Sequence, residues 1–455
     1  MITDLIAQQT RFFETQQTKD ISFRLKKLRA LRHEIQHREK DISVAIHQDF
    51  RKSEFEVLSS EIAMVLAELN LTIKKLKTWA KPQRVFPSMA NFPSAAKIYK
   101  QAYGKVLIIS PWNYPFNLAM IPLVGAIAAG NTVVLKPSEY SAYTSQIIRE
   151  IIEKVFDSEH VAVVDGDAKV AQALLTEKWN YIFFTGSVAV GKIIYRAAAE
   201  NLTPVTLELG GKSPTIIDRT ADLRLAAKRI VWGKFINAGQ TCIAPDYVLI
   251  DENIMDEFIG FLKSEIVLAY GENPKMSKDY ARIISKGNFN RLQSMFENMD
   301  VVVGGKTDEN DNYIAPSIIR NPDLDSLVME DEIFGPILPV LPYQNLGEAE
   351  QILKRYPNPL AFYVFSTDTK IQKYFIEKFS FGGGVLNDTI VHFINDRLPF
   401  GGVGDSGIGH YHGKYSFNTF THQKSVVKRY NWLDIPIRYL PSSQFKKKLI
   451  KFFLS

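Results

Sequence analysis

The chain has 455 residues, 46% of them apolar, 12% aromatic and 23% charged, which is too long for a peptide scaffold, too hydrophobic for a disordered chain, and suited to two or three compact bodies. A single cysteine excludes an internal disulfide and a thiolate metal cage, and is the usage expected of a reducing compartment. The formal charge of +6 is concentrated, because residues 424–455 carry six Lys and two Arg against Asp434 alone; the rest of the chain is nearly neutral and gives no reason to expect nucleic acid as a partner.

In the opening MITDLIAQQT, Asp4 interrupts the start and no basic cluster precedes an apolar run, so no secretory signal and a cytoplasmic location are expected. The first 80 residues are charged and poor in Gly and Pro, with apolar residues at helical spacing (Leu25, Leu28, Leu31, Ile35; then Leu58, Ile62, Val65, Leu66, Leu69), which predicts two or three helices. Pro82, Pro87 and Pro93 break that pattern, and residues 83–103 read as extended chain.

Short β-branched runs then alternate with helical patterns: 105–110 and 117–129, 132–136 and 140–155, 161–165 and 168–176, 181–185 and 188–200. Such alternation predicts βαβ units and a parallel sheet. The most apolar segment, Leu118 to Gly130, contains Pro122 and falls short of the roughly 20 residues of a membrane span, so it reads as a core helix. Strands near 214–218, 245–250, 301–303 and 361–365, with helices near 221–236 and 253–269, predict a second α/β body joined to the first near residue 207.

Several residues along this path have chemistry to offer. Asn113, in Ser-Pro-Trp-Asn-Tyr-Pro, follows the strand at 105–110 at its carboxyl end, where ligands collect in open parallel sheets; it is either a turn residue or an amide donor for an oxyanion. Lys136 and Glu139 close the next strand, where an acid and a lysine can bind the adenosine ribose, unless Ser138 merely caps a helix. A phosphate-binding turn is sought between a strand and a helix, and Thr185-Gly186-Ser187-Val188-Ala189-Val190-Gly191 meets that condition, although its glycines are spaced G-x-x-x-x-G.

Glu208 lies between two leucines in Leu-Glu-Leu-Gly-Gly-Lys. It has either turned to water or been buried, and burial would suit it to act as a general base near neutral pH. Cys242, in Gly-Gln-Thr-Cys-Ile-Ala-Pro, is either a simple buried thiol or a nucleophile at a cleft. Glu332, in Glu-Ile-Phe-Gly-Pro, marks a turn before a strand or an acid that grips the second ribose. The literal fingerprint Gly402-Val403-Gly404-Asp405-Ser406-Gly407 follows no strand, precedes no helix and has no acid about 20 residues on, so it reads as a structural or substrate-side loop. The histidines show no metal-ligand spacing, and His392, His410, His412 and His422 are read as structural; no metal is expected.

Taken together, Ser110-Pro-Trp-Asn-Tyr-Pro, Asn131-Thr-Val-Val-Leu-Lys-Pro-Ser-Glu, Phe184-Thr-Gly-Ser, Leu207-Glu-Leu-Gly-Gly-Lys-Ser-Pro, Gly239-Gln-Thr-Cys, Glu332-Ile-Phe-Gly-Pro and Leu398-Pro-Phe-Gly-Gly-Val-Gly occur in the order of the aldehyde dehydrogenase superfamily, which the chain resembles from about residue 20 to 428. The short amino-terminal region, Cys242-Ile-Ala-Pro-Asp-Tyr and Tyr411-His-Gly-Lys-Tyr-Ser-Phe are similar to class 3, the branch with the fatty aldehyde dehydrogenases. One departure is Val188, where class 3 usually has Thr.

The resemblance implies an α/β fold with a modified Rossmann NAD(P)-binding domain (1–83 and 104–206), a catalytic domain (207–385), bridging and oligomerisation elements (84–103 and 386–430) and a basic tail (431–455). It implies Cys242 as the nucleophile, Asn113 as oxyanion donor and Glu208 as the base that activates water against a thioester. Lys136, Glu139, Gly186, Ser187, Val190, Gly191, Glu332 and Phe334 would face the cofactor, and Tyr114 and Trp232 would wall the substrate pocket. NAD is the expected cofactor, with NADP also admissible; the expected reaction is oxidation of medium or long aliphatic or aromatic aldehydes by a homodimer. The competing readings are a relative that passes the thioester to coenzyme A or phosphate, against which Glu208 argues, and a catalytically silent homologue. The end of the tail, Phe445-Lys-Lys-Lys-Leu-Ile-Lys-Phe-Phe-Leu-Ser, mixes basic and bulky apolar residues and is expected either to lie on an anionic membrane or to be a solvated or docked helix.

Overall fold

The computed structural model describes residues 2–88 and 91–454; residues 89 and 90 of the expected bridging segment, Met1, and Ser455 of the tail lie outside the described residues. The first 80 residues form more helices than the spacing predicts: Ile2–Glu14, Ile21–His37, Glu39–Phe50, and a helical run from Glu54 to Trp79. The boundaries come from local capping, since Asp20 accepts the N–H groups of Ser22 and Phe23, and Ser53 accepts that of Glu56.

Within the last run, Leu58–Ile62 forms a wide π-type turn. A wide turn inserts a residue and rotates the face that follows it. Leu58, expected on the apolar stripe, stands at the start of this turn and is 42% exposed, while Glu61 within it is completely inside.

The first α/β body is built on a six-stranded sheet in the order Gly407–Ile408, Val205–Glu208, Tyr181–Thr185, Lys105–Ile109, Thr132–Lys136, Val161–Val163, parallel except for the first pair. The chain starts in the middle at Lys105–Ile109, winds outward to Val161–Val163, and then returns to the other side at Tyr181–Thr185. The crevice between those two directions, at the carboxyl ends of the strands, is where such sheets take their ligands. The helix Asn117–Ala129 is buried along its whole length, as its unbroken apolar run predicts.

The second body carries a seven-stranded sheet in the order Val301–Val303, Ser317–Arg320, Ile337–Tyr343, Tyr247–Asp251, Pro214–Ile217, Ala361–Phe365, Gly383–Leu386, again parallel except for the first pair. Three of these strands, at 317–320, 337–343 and 383–386, were not predicted; Pro339 and Pro342 disguise one, and Gly383 and Gly384 another. A third, three-stranded antiparallel sheet joins Gln83–Val85, Ser94–Ala102 and Thr421–Arg429. There nine consecutive pairs bind Ser94–Ala102 to Thr421–Arg429, tying residues 94–102 to the carboxyl-terminal part of the chain.

Candidate active site

Strand register brings the predicted segments to one edge. Ile109 pairs with both Lys136 and Phe184, and Thr185 pairs with Glu208, so the segments that follow all four strands leave the sheet on the same side. Asn113, Lys136, Gly186 and Glu208 thus gather around the crevice by topology alone.

The turn after Tyr181–Thr185 leads into the helix Val188–Ala199, whose first turn is capped by the Ser187 hydroxyl accepting the Val190 N–H at 3.4 Å. A Cβ at Gly186 would stand 2.5 Å from the Phe184 ring, and one at Gly191 would stand 2.7 Å from Leu209. These glycines let the helix and turn lie against the sheet, which leaves a helix amino terminus open toward the crevice. Lys136 is buried and its Nζ reaches Glu139 Oε2 at 3.2 Å across the mouth of the next strand. Ser138 is not the helix cap: the helix begins at Ala142, and Ser138 accepts the Tyr140 N–H within a turn. A cavity of about 340 Å³ adjoins this pair, lined among others by Pro137, Ser138, Glu139, Arg149 and Gly166. A helix amino terminus, a Lys–Glu pair at the strand ends and a neighbouring cavity fit the diphosphate and adenosine of a dinucleotide.

Glu208 has not turned to water. It is 2% exposed, neither carboxyl oxygen has a hydrogen-bond partner among the described residues, and desolvation holds its carboxyl well above the ordinary range. Strand alternation misleads here because both faces of the sheet are covered, and Thr206, Leu207 and Glu208 are all buried.

Cys242 follows the helix Leu223–Phe235 and three successive residues with positive φ, Asn237, Ala238 and Gly239. Gly239 is required there, since a Cβ would fall 2.2 Å from the Gly335 carbonyl oxygen. Cys242 is partly exposed as a residue, yet desolvation of its thiol first, then Glu332 and Glu208, push its pKa far above the usual range. Two carboxyls therefore act electrostatically on one sulfur. Asn113 is buried; its Nδ2 donates to the Gln240 carbonyl at 3.1 Å, and the Tyr114 hydroxyl meets Thr241 Oγ1 at 2.7 Å, so both are fastened to the cysteine loop. Trp232 lies on the preceding helix, 43% exposed.

The Glu332 segment closes the arrangement. Its carboxyl lies against Gly210, where a Cβ would be 2.0 Å from Oε2, and burial raises its pKa well above the usual carboxylate value. Phe334 adopts positive φ and presents a T-shaped ring contact to Trp112 at 5.3 Å, beside Asn113.

Sequence reasoning missed the groups that hold these parts. Lys212 Nζ donates to Asp246 Oδ2 and to the carbonyls of Val328 and Asp331, while Asp246 Oδ1 accepts the Ile333 N–H. Lys212 stands inside the quoted Gly-Gly-Lys segment, so a signal existed. Lys234 is wholly buried, 4.0 Å from Asp246, and burial lowers its pKa to about 8. The Gly402–Gly407 loop is structural: Gly407 pairs with Glu208, and Leu209 N–H donates to Ser406 O at 3.1 Å. His392 and His412 are packed among Phe393, Phe400 and Tyr411.

A switch-point crevice fitted to a dinucleotide, together with a cysteine whose thiol pKa is pushed up by desolvation, by the partly buried Glu332 and by the buried Glu208, defines a nucleotide-dependent oxidoreductase. The chain belongs to the aldehyde dehydrogenase family, whose sequence profile matches residues 2–426. It is 46% identical over 444 residues to the 4,4'-diaponeurosporen-aldehyde dehydrogenase of Staphylococcus aureus, covering 97% of this chain and 96% of that one. It is 44% identical over 426 residues to the dimeric NADP-preferring aldehyde dehydrogenase of Rattus norvegicus, covering 94% of each. A solved structure described as the substrate-bound state of Staphylococcus aureus AldH superposes with a TM-score of 0.98 at 45% identity over all of both chains. The protein is an NAD(P)-dependent aldehyde dehydrogenase; NAD fits as cofactor, with NADP also admissible.

Proposed function

We propose that the protein oxidises medium- or long-chain aliphatic or aromatic aldehydes to carboxylic acids through a covalent adduct on Cys242. The Cys242 thiol loses its proton to solvent and the thiolate bonds to the aldehyde carbon as the carbonyl π pair moves to oxygen; the resulting oxyanion is held by the Cys242 backbone N–H and by Asn113, whose amide has a second N–H beyond the one given to Gln240. The chemistry that bound NAD(P)⁺ supplies is acceptance of a hydride from that carbon, which leaves a thioester on the sulfur. Glu208 then removes a proton from water as it attacks, the carbon–sulfur bond breaks, and the carboxylate leaves. Gly186, Ser187, Val190 and Gly191 would hold the diphosphate, Lys136 and Glu139 the adenosine ribose, and Glu332 with Phe334 the nicotinamide side. Tyr114 and Trp232 would wall the aldehyde pocket. In this reading 1–83 and 104–206 bind the cofactor, 207–385 carry the nucleophile, and 84–103 with 386–430 bridge.

The observation that carries the reading is Glu208, a buried carboxyl without a hydrogen-bond partner among the described residues that bears electrostatically on Cys242. A base for water has no use in a relative that passes its thioester to coenzyme A. Intact-mass measurement on protein quenched during turnover should find the acyl adduct on Cys242, and Cys242→Ser should lose at least about a thousandfold in kcat. Full turnover by that variant, or an adduct elsewhere, overturns the assignment.

We further infer a homodimer and a membrane-facing tail. The rat relative is named as dimeric, and Val426 and Val427 stand 41% and 50% exposed on the outer strand of the three-stranded sheet. No helix among the described residues is long and apolar enough to cross a membrane. The helix Gln444–Leu454 instead combines Lys446, Lys447, Lys448 and Lys451 with Phe445 and Phe452, 72% and 75% exposed, a composition that suits the surface of an anionic bilayer.

A further inference from the structure

The amino-terminal helices contribute a charge cluster that the reaction above does not use. Lys52 and Glu61 are both fully buried and paired, Nζ to Oε1 at 2.9 Å. Lys52 Nζ also donates to the Asn113 carbonyl at 3.0 Å and stands 4.1 Å above the Tyr114 ring. The other oxygen of Glu61 accepts the N–H groups of Phe116 at 3.2 Å and Asn117 at 2.9 Å. One ion pair thus grips both ends of the segment 113–117. A second grip comes from Asn237, whose Nδ2 donates to the same Asn113 carbonyl at 2.8 Å and to Gln240 O at 3.0 Å, and whose N–H is accepted by buried Glu56 at 2.9 Å.

An ion pair taken wholly out of water gains little or nothing in stability over apolar side chains of the same volume, because desolvation offsets the attraction. What it supplies is direction: charged donors and acceptors fix the backbone they bind to within a narrow geometry. The π-type turn at Leu58–Ile62 serves the same end, since it rotates Glu61 into the interior. A misplacement of about 1 Å in such a site costs up to about a hundredfold in rate.

We propose that Lys52 and Glu61 are positioning residues, which hold the Asn113 amide and the Tyr114 ring in register with the Cys242 loop during attack on the aldehyde. The proposal rests on the role given to Asn113 above. Lys52→Met alone strands the Glu61 charge, so the test uses the double variant Lys52→Met/Glu61→Gln, in which the Gln oxygen still accepts from residues 116 and 117. Expected are an unfolding temperature within a few degrees of the parent and an NAD Kd within about twofold. The pre-steady-state burst of NADH should slow by about 10- to 100-fold, with a smaller change in aldehyde KM. Because the pair acts through Asn113, adding Asn113→Ala to the double variant should slow the burst little beyond Asn113→Ala alone. A burst at the parent rate in the folded double variant overturns the proposal, as do effects that multiply fully with Asn113→Ala. If Asn113→Ala by itself leaves the burst intact, the oxyanion assignment fails instead, and the proposal loses its premise with it.

Discussion

Glu208 shows how far one side chain can depart from what its neighbours in sequence suggest. The burial on which its proposed role as a base rests also destabilises the fold, because its folded-state pKa is raised above the unfolded value by desolvation. A group shifted in that direction costs nothing while protonated in both states, below the ordinary glutamate pKa, and costs progressively more as pH rises above it. Glu208→Gln keeps the shape and removes the charge. The variant should therefore be more stable than the parent near neutral pH, by about 1–2 kcal/mol, with the difference vanishing in acid, as denaturant unfolding at several pH values would measure. It should also accumulate the acyl adduct. Cys242 is shifted the same way. In the cofactor-free protein its alkylation by iodoacetamide should rise about tenfold per pH unit through the neutral range without levelling off, since only the thiolate reacts; a plateau near neutrality would mean an ionised thiol.

At the scale of elements, legibility followed burial. The paired runs from 105 to 200 were readable as βαβ because each strand is a short β-branched or aromatic run followed by a helical pattern, and their edge of the sheet gathers Asn113, Lys136, Gly186 and Glu208 by register. The helices before them were legible from the apolar spacing of Leu25, Leu28, Leu31 and Ile35 and of Ile62, Val65 and Leu69, all of which are buried, but their charged residues read as surface. Lys52, Glu56 and Glu61 carry no mark in sequence that separates them from solvated neighbours, and for Glu61 the wide turn at Leu58–Ile62 places the side chain inside. The strands containing Pro339, Pro342, Gly383 and Gly384 were hidden because tertiary pairing overrode local propensity. The terminal helix Gln444–Leu454 is the element whose role is most separable from catalysis. Truncation after Pro441 should leave kcat for a short aldehyde unchanged and should abolish cosedimentation with vesicles containing anionic lipid, each lysine having contributed about 1 kcal/mol at low salt. Equal cosedimentation of the truncated and full chains would assign that helix to the protein's own surface.

The molecule as a whole is organised around an arm that neither large sheet contains. Residues 94–102 follow the amino-terminal helices and pair along nine positions with 421–429, tying the amino-terminal part of the chain to its carboxyl-terminal part. Thr421–Arg429 is paired on one side only among the described residues, which leaves a row of backbone donors and acceptors and two adjacent valines facing outward. An open edge of that kind is a hazard unless it is covered. A second copy of the chain, presenting the same arm, is the cover consistent with a two-fold assembly. Charging the edge should separate the copies: Val426→Lys/Val427→Lys is expected to sediment as a monomer at concentrations where the parent is a dimer. Because the crevice and Cys242 lie within one chain, the monomer should still bind NAD. A variant that stays dimeric would place the interface on another face and leave the arm as a tie within the chain alone.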